Sequence, residues 1–503
     1  MNYPASVPRA SHINARTAIP PEMLPSDIDR GRPIARHPKL IVEVGSDTVT
    51  PYGGLALAAG LVKRLGVARE LDHHLHLLKM HRPYHESDHV LAQVYNLFAG
   101  GQCIEDMANL QGSEAVRRML GAERLPDPTT GGDFLRRFGE NDLREFDAAM
   151  DAIQERAWRK IHKGPRALAL VDLDSHVRPV YGAQKEGADF SYKGTWAYHP
   201  LLVTLAGTNE CLRLINRSGN TPSAAGTADV LGDLFPLLNR NFRRVIVRGD
   251  SAFYDHSIMD ACVASEQFFA FVVGSMKNVN ALADGLPPEA WRPFLTKAQR
   301  AQQARPTPAG KQRRRRENLR RNTARRRKKL DLLLKEQWIA ELAYKPARSK
   351  GTFRLLIRRQ RIEVSSKQGE LFDQWRFRFA ITNLPAAEYS AEDAMDLTYE
   401  RCDQENMIEQ LGNGIAGMRM PTGDLRANAA FLCCARLAHN LKSWLGQLVL
   451  PAETVRWEWR RFRQAFVYIA AEVVHHARQV IVRLSGTGRF GRELLAALRA
   501  LQT

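Results

Sequence analysis

Residues 167–181 read ALALVDLDSHVRPVY. A short apolar run of this kind, rich in residues that suit a pleated surface, predicts a buried strand. Asp172 and Asp174 flank Leu173, so on a strand both carboxylates point to one face. Downstream, HPLLVTLAG (199–207) and CLRLINRSG (211–219) predict two further strands, and a helix is expected over Pro222–Leu238, its start marked by Thr221 and Pro222. RRVIVRGD (243–250) then reads as a strand, HSIMDACVAS (256–265) as a helix and FFAFVVGS (268–275) as a strand. Three meandering strands followed by alternating helix and strand predict an α/β fold, a mixed sheet flanked by helices.

The flanks differ in character. Residues 1–40 are rich in Pro, Ser and Arg with little periodicity, which predicts a flexible arm. Residues 41–160 carry helical spacing in LALAAGLVKRLGVARELDHHL, in SDHVLAQVYNLFAGG with Ser87 or Asp88 as N-cap, and around Phe134, Leu135 and Phe138. A helical N-terminal domain is expected there, followed by the first part of the core over 161–280. Residues 281–389 hold a basic run and two strand-like stretches, FRLLIRRQRIEV (353–364) and WRFRFAITNL (375–384), the pattern of a basic, β-rich insertion. Helical spacing resumes at Ser390 and continues nearly to the end, including VRWEWRRFRQAFVYIAAEVVHHARQVIVRL, so 390–503 is expected to complete the core with helices.

The chain has 73 Lys plus Arg against 54 Asp plus Glu, a net +19, which concentrates polyanions around it. The run Lys311–Lys329 contributes eleven of those nineteen charges, and the remainder is still basic. Nucleic acid is the first partner to expect. The six cysteines show no CxxC pair or regular spacing, which argues against a zinc ribbon or a disulfide framework. No apolar run is long enough to span a bilayer and no signal-like stretch opens the chain, so an intracellular protein is expected.

Acids at strand ends stand out in so basic a chain. Asp250 ends VIVRGD, followed by Ser251 and Ala252. If the first and fourth strands lie side by side, Asp174 and Asp250 meet at one end of the sheet. A third carboxylate from a packed helix, with Glu405 in YERCDQENMIEQ the best candidate, would complete an all-oxygen site for Mg²⁺, with Mn²⁺ a plausible substitute. Two such ions would serve phosphodiester chemistry, and the basic surround would bring DNA to an otherwise repulsive acidic site. A lone Asp after a strand is also a common turn or cap residue; the position of three acids on separate elements favours the metal reading.

VDLDSHVRPVYGAQKEGADFSYKGTWAYHPLLV (171–203), RLINRSGNTPSA (213–224), VIVRGDSAFY (245–254) and YERCDQENMIEQLGNG (399–414) together resemble the DDE transposases of bacterial insertion sequences, most closely the IS1380 branch near the IS4 group. AQVYNLFAGGQCIEDMANL, LGAERLPDPTTGGDFLRRF and AHNLKSWLGQLVLP extend the resemblance over roughly residues 40–485. It implies a ribonuclease H-like mixed-sheet core with a mostly β insertion before the catalytic glutamate. It also implies metal-dependent cleavage at element ends with strand transfer into target DNA. Asp174, followed by Ser175, matches the first acid, Asp250 the second and Glu405 the glutamate, in a helix whose Tyr399 and Arg401 also match. The resemblance further implies double-stranded DNA as partner, a homodimer or larger assembly on it, and a bacterial, cytoplasmic, nucleoid-associated setting. Gly412 stands where related sequences carry Lys, so Lys442 or Arg419 would have to supply that DNA contact, and Gly412 with Gly414 weakens the helix. A DNA-binding relic without catalysis and a plain metal-dependent nuclease are the competing readings.

Other residues are weaker candidates. Glu409 lies one helical turn after Glu405 and is either a supporting carboxylate or the third ligand; Asp172 reads as a supporting carboxylate. Arg313, Arg314, Arg315 and Arg316 in the basic run, with Lys193, are expected to hold DNA phosphates, and Tyr192, Tyr198 and His199 could position DNA near the acids. Trp444, Trp457 and Trp459, among Arg460, Arg461 and Arg463, read as core residues more readily than as base-stacking platforms. His73, His74 and His76, and likewise His475 and His476, read as ordinary surface or core histidines.

Overall fold

In the computed structural model, residues 47–295, 297, 300, 337–362, 374–401, 403–477, 479–486 and 488–502 are described. A mixed sheet is built from β1 (Ala169–Ser175), β2 (Leu201–Leu205), β3 (Glu210–Ile215), β4 (Val245–Gly249), β5 (Phe268–Val273), β6 (Arg292–Pro293), β7 (Gln337–Tyr344), β8 (Phe353–Ile362) and β9 (Gln374–Thr382). Their spatial order is β6-β7-β8-β9-β5-β4-β1-β2-β3. β1, β4 and β5 run parallel to one another, and the other pairings are antiparallel. All residues of β2 and β4 are buried, which explains their unbroken apolar character.

Alternation along the central strands sorts the two faces. Val171 and Leu173 of β1 and Val245 and Val247 of β4 pack with Leu231, Leu234, Phe235 and Leu238 of α8 (Thr227–Asn241) and with Ile258 and Met259 of α9 (His256–Ala264). Ile246 and Ala270 point the other way, against Ala391, Ala394 and Met395 of α11 (Ala391–Tyr399). Asp172 and Asp174 share that second face by the period of two. The helix expected from Pro222 starts only at Thr227. Residues 222–225 form a turn closed by the Ala225 N–H on the Pro222 carbonyl, and Gly226 takes φ 69°, a left-handed conformation that interrupts helical propagation.

The stretches read as an insertion widen this same sheet. β9 pairs with β5, Phe379 opposite Val273, and β8 and β7 follow outward. β7 lies at the margin of the basic run, which hides its strand pattern. Between β5 and β6 lies α10 (Lys277–Asp284).

The helical region comprises α1 (Leu55–Leu65), α2 (Val67–His74), α3 (Glu86–Ala99), α4 (Met107–Gln111), α5 (Glu114–Leu120), α6 (Pro128–Leu135) and α7 (Glu140–Ile161). The N-cap of α3 is His85, whose N–H donates to Asp88 Oδ2 at 2.8 Å, so the helix begins just before the expected Ser87 or Asp88. These helices share one apolar core with α13 (Leu425–Leu448), α14 (Trp459–Phe466) and α15 (Gly491–Gln502). The expectation of continuous helix through VVHHARQVIVRL is wrong: β10 (Ala471–His476) and β11 (Gln479–Leu484) form a hairpin there. Val473, Val474, Val480, Ile481 and Val482 favour extended backbone, and Ala477 turns the chain with φ 48°. A two-residue strand, Val49–Thr50, adds to the hairpin by pairing with Glu472 and Ala471.

Glu210, fully buried on β3, ties sheet to helices. Its Oε1 accepts from Gln154 Nε2 (3.0 Å), Trp158 Nε1 (3.1 Å) and Trp444 Nε1 (2.7 Å), and Oε2 from Thr208 Oγ1 (2.6 Å). Glu210→Ala strands two indole N–H groups and an amide in the interior, and a buried donor left unpaired costs about 1–3 kcal/mol. Urea unfolding monitored by circular dichroism is expected to show the variant destabilised by about 3 kcal/mol or more.

Candidate active site

The parallel register of β1 and β4 sets Asp172 opposite Arg248. Two residues further along each chain stand Asp174 and Asp250, side by side at the strand ends. Both are half-buried. Asp174 accepts its neighbour's N–H, from Ser175 at 2.7 Å. Burial pushes the Asp174 carboxyl up to about 6, with the charges of Asp250 and Asp172 acting in the same sense and the Ser175 N–H and Arg401 opposing them. Asp250 caps the short 3₁₀ turn Ser251–Phe253, its Oδ1 accepting from the Ala252 N–H at 2.9 Å. The modest capping role and a place in the acidic pair therefore coexist at Asp250, since one oxygen serves the turn.

Asp172 does a different job. It is 1% exposed and bound on both oxygens by Arg248, Nε to Oδ1 at 2.6 Å and Nη2 to Oδ2 at 2.8 Å. Arg248 Nη1 donates in turn to the carbonyls of Leu397 (3.0 Å) and Glu400 (3.2 Å). The buried pair thus grips the end of α11, from which the chain enters α12 (Asp403–Glu409). α12 is moored to the sheet by Arg401, whose Nη2 donates to the Leu173 carbonyl (2.8 Å) and to Gln404 Oε1 (2.6 Å), and by Gln404 Nε2 on Thr204 Oγ1 (3.1 Å). Arg401 is thereby held against the strand that carries Asp174; its Nε is buried with no hydrogen-bond partner.

Glu405 follows Gln404 on α12 and is exposed. The structure does not close all three acids: among the described residues, Asp174, Asp250 and Glu405 do not bring three carboxylate oxygens within 4.8 Å of one another. α12 widens into a π turn over Gln410–Gly414, at the glycines that weaken helical propagation. Glu409 is exposed, accepts from Asn413 Nδ2 at 2.9 Å, and its charge acts on His176 and Arg178.

His176 and Arg178 are site residues that the sequence reading passed over, although they follow Asp174 directly in SHVR. Arg178 and Lys193 bring positive charge beside the two imidazoles of His176 and His199, while burial holds His176 below its usual range, with Arg178, Lys193 and His199 adding to the effect, and burial likewise lowers His199. Lys193 is exposed, its Nζ 5.4 Å from the ring centre of Tyr192, itself 77% exposed. Tyr198 and His199 face inward, the Tyr198 hydroxyl donating to the Glu186 carbonyl (2.6 Å) and His199 Nδ1 lying 2.8 Å from the Thr221 carbonyl. Tyr399, expected at DNA, packs its ring against the cross-strand pair Arg358 and Arg378, whose guanidinium carbons lie 5.6 and 5.4 Å from the ring centre, and its hydroxyl donates to the Phe379 carbonyl at 3.2 Å. Arg313, Arg314, Arg315 and Arg316 lie outside the described residues.

Trp444, Trp457 and Trp459 are buried, with Arg461 stacked 3.7 Å over Trp457. His74 pairs with Glu145 at 3.4 Å, and His475 and His476 are exposed on β10. Arg419 is exposed and donates to Gln102 Oε1 at 2.8 Å. Lys442 cannot stand in for a DNA-contacting lysine: it is 1% exposed, and its Nζ donates to the carbonyls of Val455 (3.3 Å) and Trp457 (2.5 Å).

The chain matches the family described as Transposase DDE domain group 1 over residues 32–503. It belongs to that family, and its function is that of a DNA transposase. The family's activity is phosphodiester cleavage and transesterification, and it depends on divalent metal ions. Among solved structures, the chain is similar to one described as a cryo-EM structure of a piggyBac transposase synaptic complex with hairpin DNA, at 9% identity, 81% coverage of each chain and a TM-score of 0.34. No curated protein matches the chain. No described helix is long and apolar enough to cross a membrane.

Removing one partner of a buried ion pair leaves the other charge uncompensated, at about 3–5 kcal/mol. Arg248→Met is therefore expected to destabilise the protein by that amount, and Arg248→Met with Asp172→Leu by less than the sum of the single losses, in a double-mutant cycle of urea unfolding. Burial also lowers the Lys442 ammonium to about 7 from 10.5. Its folded state sheds the proton that the unfolded chain keeps, so the stability contribution is fully present above pH 10.5 and is lost as pH falls towards 7. Lys442→Met is expected to remove that rise in melting temperature between pH 7 and 10.

Proposed function

We propose that this transposase cuts the ends of an insertion sequence of the IS1380 branch and joins them to target DNA through Asp174, Asp250 and Glu405, on a ribonuclease H-like core. The observation that supports this most is the adjacency of Asp174 and Asp250 at the ends of parallel neighbours, with a net cost of burial on the Asp174 carboxyl that the Ser175 N–H and Arg401 only partly offset. An all-oxygen donor set in which two negative charges stand together suits a hard divalent cation, Mg²⁺ or in its place Mn²⁺. Asp174 and Asp250 would hold it, and Glu405, or Glu409 one turn on, would join them when α12 closes on the bound DNA. Held by these carboxylates, divalent ions would supply Lewis-acid activation of a water or 3′-OH and charge neutralisation at the leaving oxygen.

The protein's own groups do the rest. Asp250 keeps its orientation through the Ala252 N–H, leaving its second oxygen for a ligand. Arg401 fixes the approach of α12 to β1. Lys193 and Arg178 supply positive charge that draws the phosphate backbone towards the acids. The helical region over 41–160 would bind the terminal repeats, and pairing of two ends calls for a homodimer or larger assembly in the bacterial nucleoid.

The test is a labelled duplex carrying the element's own terminal repeat, incubated with Mg²⁺ or EDTA and with wild type or Asp250→Ala at matched DNA occupancy. Mg²⁺-dependent cleavage at the repeat boundary followed by joining is expected, with both products below detection in the variant. Cleavage without joining would make the protein a plain nuclease. Binding with no metal-dependent cleavage would make it a relic, and cleavage undiminished in Asp250→Ala would overturn the assignment of the acids.

A further inference from the structure

A second cluster of metal-binding groups lies in the helical region, on elements that carry none of the acids above. The chain leaves α2 at Leu75 and enters α3 at Glu86. Glu86 is 1% exposed, unusual for a carboxylate. Its Oε1 accepts the N–H groups of Leu77 and Leu78, both at 3.0 Å, folding the loop back over the helix start. Its Oε2 is buried and receives no hydrogen bond, yet stands 3.2 Å from His81 Nδ1. The His85 ring stacks on that of His81, centres 5.2 Å apart and planes 16° from parallel. One ligand atom from each of His81, His85 and Glu86 lies within 4.8 Å of the others, the single such group of three among the described residues.

We propose that His81, His85 and Glu86 bind one borderline divalent cation, Zn²⁺ being the best fit. A buried carboxylate oxygen that receives no hydrogen bond, and whose nearest polar partner is a half-exposed imidazole, costs free energy that a divalent cation would recover. Two imidazoles and a carboxylate form a set that zinc accepts, whereas Mg²⁺ prefers oxygen alone. Tetrahedral zinc, with ligand distances of about 2.0–2.1 Å, places adjacent ligand atoms about 3.3 Å apart, close to the His81–Glu86 separation. His81 is half exposed, so an ion would be reached from solvent and would keep its fourth position for water. Its effect would be to clamp the Leu75–His85 loop to the first turn of α3.

Tag-free full-length protein, stripped by chelator and held in millimolar Mg²⁺ to occupy hard oxygen sites, would be titrated with Zn²⁺ against a chromophoric chelator. Wild type, Asp250→Ala and His73→Ala are expected to bind the same single high-affinity equivalent. His81→Ala and His85→Ala should each weaken it at least about tenfold, and the double variant should lose it. Co²⁺ should give wild type the visible absorption of a tetrahedral site and leave the double variant colourless. On wild type alone, Zn²⁺ should protect His81 and His85 from diethyl pyrocarbonate, mapped by mass spectrometry, which keeps the test decisive if a variant misfolds. Unchanged Zn²⁺ affinity in the folded double variant, or acylation of both histidines unaffected by Zn²⁺, would overturn the proposal.

Discussion

The Asp172–Arg248 pair fixes more of this molecule than any contact on its surface. Two opposite charges sit almost without solvent in the middle of a sheet, a placement tolerable only because both carboxylate oxygens and three guanidinium nitrogens have partners. The pair lies in register across β1 and β4, so a slip of one residue between these strands would separate it and turn each side chain to the opposite face. Holding that stagger is what brings Asp174 level with Asp250. The same guanidinium binds the Leu397 and Glu400 carbonyls at the end of α11, so one side chain governs both the alignment of the two strand acids and the entry into α12, which carries Glu405.

The balance of charge around the acids follows from where they stand. Asp174 and Asp250 occupy a half-buried strand end, a poor place for two negative charges, and Arg401, held on the neighbouring Leu173 carbonyl, is the cation whose charge acts on Asp174. The remaining positive charge is held at a remove, beyond β1, where Arg178 lies on a two-residue strand, Arg178–Pro179, paired with Trp196–Tyr198, and Lys193 on the exposed turn before that partner. A polyanion can therefore be attracted without the acids being neutralised in advance by permanent ion pairs. A protein that cuts DNA needs that separation, because a carboxylate already locked to an arginine is not available to a metal.

Much of the core was legible because its strands are short, apolar and bounded by polar turns, as in VIVRGD and FFAFVVGS. The adjacency of Asp174 and Asp250 could be stated as a condition on strand order, and the order satisfies it. The hairpin at 471–484 was not legible, since a run of valines with two histidines reads as well in a helical period as in an extended one until the partner strand is known. β7 was masked by the basic run beside it. The roles of Arg401 and Tyr399 depend on Leu173 and Phe379, far away in sequence, and spacing on the chain carries no information about such contacts. His176 and Arg178 were in plain view beside Asp174, and basic residue types that follow a strand-end acid are a usable signal.

The two ends of the described chain meet, since Val49 and Thr50 take their strand partners from Ala471 and Glu472, and the early helices share their core with α13, α14 and α15. During synthesis the first helices emerge long before the segments that cover them. A gene copy broken by a frameshift ahead of the hairpin would therefore yield a chain whose opening strand has no mate and whose N-terminal helices lack part of their packing. Such a chain would keep apolar helix faces uncovered, so the fold is completed only when the last segments of the chain join the first.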